Sequence, residues 1–272
     1  MSLEPDITEY DFGYDPTIDE PIEITPPERI IALPPWATVN PKYLPPVQKQ
    51  QTPNCAAWAT TYGLATFTAA KAGDYSPEDP SLQASSAYIY IGAMKQKGFS
   101  PDTCKGSQFK YYFDTLAHGG TPTMFEAPYE PDCTTLWNDY GSQNLQPDAA
   151  FTIKHIAAVS AKVPDHVKQI IASGRALAYG TSLYTDFPHY QGDPVPYVGN
   201  GDVLKNPKTC NNVGHCMLIV GYDDTIGTGA FHIQNSAGIE WGSGGFIWMA
   251  YDTFAALAQG KAFHVKESLR NE

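Results

Sequence analysis

Residues 53–73 read PNCAAWATTYGLATFTAAKAG. A proline and an asparagine precede Cys55, small and apolar residues then dominate, and no charge appears before Lys71. A polar cap before such a run and a glycine at its end, here Gly73, are typical helix boundaries. This pattern predicts a mostly buried helix over 56–71 that has Cys55 at its first turn.

The position of Cys55 favours a reactive thiol. Unpaired N–H groups and the positive end of the dipole at a helix N-terminus stabilise a thiolate. A buried, unreactive cysteine is the alternative, and it is the commoner fate of a single cysteine. A thiolate nucleophile also needs a base, and a group that orients the base.

Two later segments offer these groups. HCMLIVGY begins at His215 after a loop rich in glycine and asparagine, and AFHIQ is followed by Asn235. Both patterns predict strands, and adjacent antiparallel strands would bring the Asn235 amide oxygen to the His215 ring. Either residue alone is explained equally well as a turn residue. Their combination with Cys55 indicates nucleophilic catalysis.

Composition excludes several other functions. The 272 residues are 42% apolar, which is enough for a sizeable core, and the net charge of −12 argues against binding a nucleic-acid backbone. No apolar run approaches a membrane span, and no signal peptide is visible. Motifs for metal binding, nucleotide binding, serine hydrolysis and paired cysteines are missing, so we expect no metal and no cofactor.

Helical and strand patterns separate along the chain. After the first helix, further helical candidates are 84–97, 107–118 and 165–173. Strand candidates are 176–184, 215–222, 230–234 and 245–251. Helices followed by strands predict an α+β fold of two lobes with a cleft between them.

Residues 1–40 carry nine acidic residues and one basic residue, which is −8 of the net charge. No helical or strand period is visible up to about Thr25. A disordered tail and an extended arm that lies across the folded domain both fit this composition. The arm interpretation rests on a series of apolar residues, namely Tyr10, Phe12, Tyr14, Ile18 and Ile22.

Three segments resemble, in order, the motifs of the papain-like cysteine peptidases. They are PPVQKQQTPNCAAWA at 45–59, HCMLIVGYDD at 215–224 and NSAGIEWGSGGF at 235–246. The likeness covers about residues 31–255, and its compact motifs are more similar to bacterial members than to animal or plant ones. It implies a papain-like fold with an N-terminal helical lobe, a C-terminal antiparallel sheet or barrel, and the active site between them.

The resemblance implies a role for each matching residue. Cys55 would be the nucleophile, His215 its base and later acid, and Asn235 the residue that orients the imidazole ring. Gln50 would donate a hydrogen bond to the oxyanion. The family glutamine lies one residue farther upstream, so the neighbouring glutamines at 48 and 51 stay as alternatives.

The likeness also extends to substrate binding. Gly106 and Ser107 match the segment whose backbone pairs with an extended peptide. Trp241 matches a family tryptophan and would line the part of the cleft that holds the leaving group. Ala237 replaces the family tryptophan that shields the hydrogen bond between histidine and asparagine. The preference for substrate side chains stays open.

Cysteine pairing follows from the same comparison. Cys104 and Cys133 align with cysteines of two different family disulfides, each without its usual partner, so we expect them to pair with each other. Cys210 and Cys216 are a second candidate pair. Disulfides would indicate a secreted or periplasmic protein.

Together these observations predict a monomeric cysteine endopeptidase that acts on peptide or protein substrates. We expect the peptidase domain over 31–272 and an acidic extension over 1–30. Because the extension lacks the helical motif of family pro-regions, residues 4–30 are expected to cover the cleft and hold the enzyme latent. Two alternatives are a papain-fold binding module with an inactive cleft, and another acyl transfer such as transglutaminase or peptide ligase chemistry.

Overall fold

The computed structural model describes residues 12, 14, 22–26, 32–100, 104–141 and 149–270. The helices of this part are α1 (Cys55–Ala57), α2 (Thr66–Gly73), α3 (Ser86–Gln96), α4 (Phe109–His118), α5 (Cys133–Tyr140), α6 (Pro164–Ala172) and α7 (Tyr251–Leu257). The strands are β1 (Trp36–Thr38), β2 (Phe151–Ser160), β3 (Leu177–Ser182), β4 (Gly214–Asp223), β5 (Ala230–Gln234), β6 (Phe246–Ala250) and β7 (Ala258–Arg270).

The helix predicted over 56–71 is confirmed. α1 continues through a π-helical segment, Trp58–Ala65, into α2, so the helix runs without a break over 55–73. It ends at Asp74, whose left-handed backbone, with a φ of 54°, lets its N–H bond to the Ala70 carbonyl. The helix begins at Cys55 and holds it fully buried.

The strands form one antiparallel sheet in the order β2-β7-β3-β4-β5-β6, with β1 paired to β4. The four predicted strands correspond to β3, β4, β5 and β6. The sheet is open at β2 and β6 and does not close into a barrel, so of the two predicted forms the sheet is the correct one.

Two long strands escape prediction from the sequence. β2 pairs with β7 from Lys261 to Arg270, and β2 buries residues irregularly because one of its residues, His155, has a φ of 55°. A left-handed residue shifts the alternation of faces, so the period of two on which a strand prediction depends is lost.

A continuous core joins the helical half to the sheet. The helix over 55–73 packs on β3, β4 and β7. Helix α4 also packs on the sheet, because the rings of Phe109 and Phe113 contact the ring of Phe263 in β7, with centroids 4.9 and 5.5 Å apart. Cys55 therefore lies where helices meet the sheet, as the two-lobed prediction requires.

One of the two predicted cysteine pairs forms. Cys104 and Cys133 are joined in a disulfide, with Cα atoms 5.8 Å apart. The predicted pairing of Cys210 with Cys216 is wrong, since neither forms a disulfide. Cys210 lies in an exposed loop, whereas Cys216 lies inside β4, so the side chains cannot meet.

The described ranges contain neither a membrane-spanning helix nor a metal-binding cluster. None of their helices has the length and apolar character to cross a membrane. No group of three or more histidine, cysteine or acidic side chains in this part of the chain is arranged to hold a metal ion.

Candidate active site

Strand β4 carries His215 near its start, and Asn235 follows the last residue of β5. Because β4 and β5 are adjacent and antiparallel, these two residues come together, as the sequence predicted. His215 Nε2 lies 2.7 Å from Asn235 Oδ1, and both side chains are buried. The Asn235 backbone is held in turn by a hydrogen bond from its N–H to the Gly245 carbonyl.

A second contact determines the tautomer of the histidine. Asn235 Oδ1 also accepts a hydrogen bond from the Ser236 N–H at 2.8 Å, which identifies this atom as the amide oxygen. His215 Nε2 must therefore be the donor. In the neutral ring the basic nitrogen is Nδ1, which is buried and has no hydrogen-bond partner of standard geometry.

The thiol of Cys55 interacts with this histidine. Burial by itself raises the pKa of the Cys55 thiol. Interactions with the Cys216 side chain and with the imidazole of His215, its charge included, outweigh burial and lower the pKa to about 6 from the ordinary 9.0. The thiolate form therefore predominates at neutral pH.

Gln50 is anchored next to the same cluster. Its backbone N–H donates to the Ser236 carbonyl at 2.8 Å, and its Oε1 accepts from the Ser236 hydroxyl at 2.6 Å. With Oε1 held in this way, Nε2 points its two hydrogens elsewhere, and it donates to the Thr52 carbonyl at 3.3 Å and to the Phe12 carbonyl at 3.4 Å. The alternatives are placed differently, since Gln48 interacts with Tyr62 and Gln51 is exposed.

The N-terminal segment enters this site. The Phe12 carbonyl oxygen accepts a hydrogen bond from the Cys55 N–H at 3.2 Å, in addition to the contact with Gln50. The Phe12 ring lies on the His215 ring, with centroids 4.9 Å apart. Tyr14 forms a β-bridge with Gly214 and is only 5% exposed. Of the other proposed anchors, Ile22 packs on the core, while residues 10 and 18 lie outside the described ranges.

The predicted substrate-binding residues lie in two separate loops. Gly106 and Ser107 lie in the loop before α4, which the Cys104–Cys133 disulfide ties down. Ser107 is buried, and its hydroxyl has no hydrogen-bond partner. Trp241 lines the same cavity as His215, and its indole N–H donates to the Phe187 carbonyl at 3.2 Å.

Sequence reasoning missed Phe187. Its ring lies 5.0 Å from that of Trp241 and 6.3 Å from that of His215, so it stands between them. With Ala237 and Trp241 it lines a cavity of about 270 Å³ beside the histidine. The residue lies in a short turn far along the chain from each of these partners, and no local signal marks it.

A cysteine and a histidine at the junction of a helical lobe and an antiparallel sheet indicate a thiol-dependent hydrolase. The sequence profile described as papain family cysteine protease matches residues 38–263, and the chain belongs to this family. It is therefore a cysteine peptidase, a hydrolase whose substrates are peptides or proteins.

Solved structures agree with this assignment. Xylellain, a cysteine protease from Xylella fastidiosa, is 26% identical and superposes with a TM-score of 0.73 over 93% of this chain and 95% of that chain. Digestive procathepsin L 3 of the Tenebrio molitor larval midgut shares the fold. It is 16% identical, with a TM-score of 0.63 over 89% of this chain and 73% of that chain. Procathepsin B S9 from Trypanosoma congolense also shares the fold. It is 16% identical, with a TM-score of 0.63 over 94% of this chain and 88% of that chain. No curated protein matches the chain in sequence.

Proposed function

We propose that the chain is a cysteine endopeptidase that works through Cys55, His215 and Asn235. The Cys55 thiolate attacks the carbonyl carbon of the scissile bond, and His215 then protonates the leaving amine. Water, deprotonated by His215, hydrolyses the thioester that remains and regenerates the thiol. Asn235 keeps the proton on Nε2, so that Nδ1 is the nitrogen that exchanges protons with the thiol and the substrate.

The observation that carries this proposal is the position of the Phe12 carbonyl oxygen. Two donors, the Cys55 N–H and Gln50 Nε2, converge on this one oxygen at 3.2 and 3.4 Å. A developing oxyanion requires donors that converge in this way next to the nucleophile. We therefore assign these two groups to the oxyanion hole.

The same contacts support the proposal that residues 4–30 keep the peptidase latent. With the Phe12 carbonyl in the oxyanion hole and its ring on His215, a substrate cannot reach Cys55, which is fully buried. Residues 1–30 then act as an acidic inhibitory extension, and 31–272 as the peptidase domain.

The direction of the segment explains how it occupies the site without being cleaved. A substrate binds with its leaving group next to the general acid, His215. The Phe12 ring lies against His215, whereas the Tyr14 ring, later in the chain, lies against Phe109 of α4. The segment therefore runs opposite to a substrate, and it does not present a leaving amine to the acid.

A labelling experiment tests the peptidase assignment. We expect a Phe12→Gly/Tyr14→Gly variant to be labelled at Cys55 by a peptidyl vinyl sulfone, one label per chain, and to hydrolyse peptides. Cys55→Ala should abolish both, and Cys210→Ser should change neither because that thiol is exposed and distant. A folded variant with an inert Cys55 would support the binding module instead. Products formed with an added amine would reveal acyl transfer.

Turnover of a small peptide amide tests latency. We expect the double variant, or a chain lacking residues 4–30, to be at least about tenfold more active than the full chain. The truncation removes the residue 12 carbonyl from the oxyanion hole, and the double variant removes the two rings that anchor this carbonyl there. Glu23→Ala is the matched control, since this exposed residue lies in the same segment. Equal activity of all four proteins would rule out inhibition by the segment.

A further inference from the structure

We propose that Tyr129 is a positioning residue of the oxyanion hole. Its hydroxyl fixes the loop 50–54 and, through Thr52, the direction in which Gln50 donates its hydrogen bond. The inference rests on the proposed peptidase function, to which the oxyanion hole belongs. It adds a residue that does not itself line the cavity beside His215.

The Tyr129 hydroxyl receives two consecutive backbone N–H groups of this loop. The N–H groups of Gln51 and Thr52 donate to it at 2.7 and 2.9 Å, and the Thr52 hydroxyl lies 3.0 Å away. A hydroxyl has two acceptor lone pairs and one proton. Because the two N–H groups occupy both lone pairs, the Tyr129 O–H donates to Thr52 Oγ1. The full hydrogen-bonding capacity of this hydroxyl therefore holds two adjacent residues.

Thr52 transmits this constraint to Gln50. The Thr52 carbonyl accepts from Gln50 Nε2 at 3.3 Å and from the Asn54 N–H at 2.7 Å. Nε2 carries two hydrogens, so one is directed at the Thr52 carbonyl and the other at the Phe12 carbonyl, 3.4 Å away. The Phe12 carbonyl occupies the position that we assign to the oxyanion. A shift of Thr52 would therefore turn the second hydrogen away from the oxyanion.

The contact with Ser236 does not fix this donor by itself. The Ser236 hydroxyl donates to Gln50 Oε1 at 2.6 Å and thus holds one atom of the amide. An amide held at one atom can still turn about that atom. The contact of Nε2 with the Thr52 carbonyl supplies the second point, and the two together fix the plane of the amide.

Tyr129 is itself fixed to the helix that carries Cys55. Its ring meets that of Trp58 edge-on, with centroids 5.0 Å apart, and Trp58 is buried in the same helix as Cys55. The residue before Tyr129 is held as well, since the Pro128 carbonyl accepts from the Tyr140 hydroxyl of α5 at 2.8 Å. Tyr129 therefore links the oxyanion loop to the helix of the nucleophile.

Tyr129→Phe tests this assignment, because it removes the hydroxyl and keeps the ring that packs on Trp58. The parent protein is the full-length Phe12→Gly/Tyr14→Gly chain. We expect kcat on a peptide amide to fall at least about tenfold and KM to change less than about threefold, since a misplaced donor weakens the transition state more than the bound substrate. Rates are expressed per Cys55 titrated with a peptidyl vinyl sulfone, so that misfolded chains do not count. A kcat equal to that of the parent would overturn the proposal.

Tyr222→Phe is the matched control. The Tyr222 hydroxyl donates one hydrogen bond, to the Pro34 carbonyl at 2.9 Å, and the residue lies at the opposite end of β4 from His215. This variant loses the same atom from the same type of side chain, and its kcat should match that of the parent. An equal fall of kcat in both variants would contradict a specific role of Tyr129.

A double-mutant cycle with Gln50→Ala separates positioning from general damage. In a chain that already lacks the Gln50 amide, Tyr129→Phe should lower kcat less than about threefold, because the group that it positions is gone. A loss as large as in the parent would show that the hydroxyl acts independently of Gln50, and would overturn the proposal.

Two outcomes separate this inference from the peptidase assignment. If the parent neither cleaves peptides nor is labelled at Cys55, both proposals fail. If the parent does both and Tyr129→Phe keeps its kcat, only the Tyr129 proposal fails. Should Tyr129→Phe not fold, Thr52→Val decides, because it removes the hydroxyl that binds Tyr129. This variant should lower kcat at least about threefold with little change in KM, and an unchanged kcat would overturn the proposal.

Discussion

At the scale of single residues, the charge on Cys55 depends on its neighbours. Burial of the thiol opposes ionisation, and interactions with Cys216 and His215 reverse that effect and lower the pKa to about 6. His215 itself is positioned by one acceptor, the Asn235 amide oxygen, which the Ser236 N–H holds in place. Removing His215 should therefore change the pKa of the Cys55 thiol.

The first prediction concerns this titration. In the Phe12→Gly/Tyr14→Gly chain, the rate of alkylation of Cys55 by iodoacetamide should rise with pH with a midpoint below the ordinary 9.0, because only the thiolate reacts and the contacts with Cys216 and His215 that lower its pKa are kept. Adding His215→Gln should move the midpoint upward by at least about one unit, because burial then acts with less opposition. His189→Gln, on the same cavity, is the control. An unchanged midpoint in the His215 variant would contradict the interaction.

The second prediction concerns the oxyanion hole. In the same chain, Gln50→Ala should lower kcat by about 10²–10³-fold with a smaller effect on KM, because the donor acts mainly on the transition state. Gln51→Ala is the matched control, because it removes the neighbouring glutamine, whose side chain is exposed. This variant should lower kcat far less than Gln50→Ala does. A larger loss for Gln51→Ala would assign the oxyanion donor to that residue instead.

At the scale of elements, the loop before α4 is fastened to the start of α5. The Cys104–Cys133 disulfide joins two positions that are 29 apart in sequence, and the Tyr90 hydroxyl on α3 donates to the Lys105 carbonyl at 3.0 Å. Gly106 and Ser107 follow directly in this loop. The loop backbone that the sequence predicts to bind substrate is therefore held by a disulfide and by a hydrogen bond from α3.

The third prediction follows from this link. Cys133→Ser should lower the free energy of unfolding by about 3 kcal/mol, because an unfolded chain without the cross-link has more conformational freedom. Urea denaturation measures the change, and Cys210→Ser, which removes an exposed free thiol, should leave stability nearly unaltered. If reductant destabilises the Cys133 variant as much as the unchanged protein, the disulfide is not the cause.

The fourth prediction concerns β7. Burial, with Arg175 and Lys266 nearby, lowers the pKa of His264 from 6.5 to about 4. As pH falls from 6.5 towards 4, the unfolded chain takes up this proton before the folded chain, so stability falls by up to about 2–3 kcal/mol. Urea denaturation at pH 7 and pH 4.5 should show a smaller loss for His264→Gln than for exposed His118→Gln. Equal losses of stability in the two variants would contradict the lowered pKa of His264.

At the scale of the whole molecule, the N-terminal segment and the cleft belong to one chain in which both partners are always present. The fifth prediction is that latency persists when the protein is diluted roughly 100-fold, because a tethered segment keeps a constant effective concentration. Specific activity on a peptide amide, measured across the dilution series, checks this. A rise in specific activity on dilution would mean that the segment of a second copy blocks the cleft.

The sequence was sufficient wherever the determining interactions are local. Helix-end residues and an unbroken apolar run predicted the helix over 55–73, and apolar patterns predicted β3–β6, because both depend on near neighbours in the chain. Motif spacing singled out Cys55, His215 and Asn235, which the fold brings together. Local reasoning could not choose among the three neighbouring glutamines, because the Ser236 hydroxyl that orients Gln50 comes from the loop after β5, 186 positions along the chain.

Only the tertiary structure placed the Phe12 carbonyl on the Cys55 N–H and Gln50 Nε2, and the Tyr14 ring over Gly180. It also decided the pairing of β2 with β7 and showed that Cys216 forms no disulfide. Each of these contacts joins segments far apart in the chain, and packing rather than local propensity determines which distant segments meet.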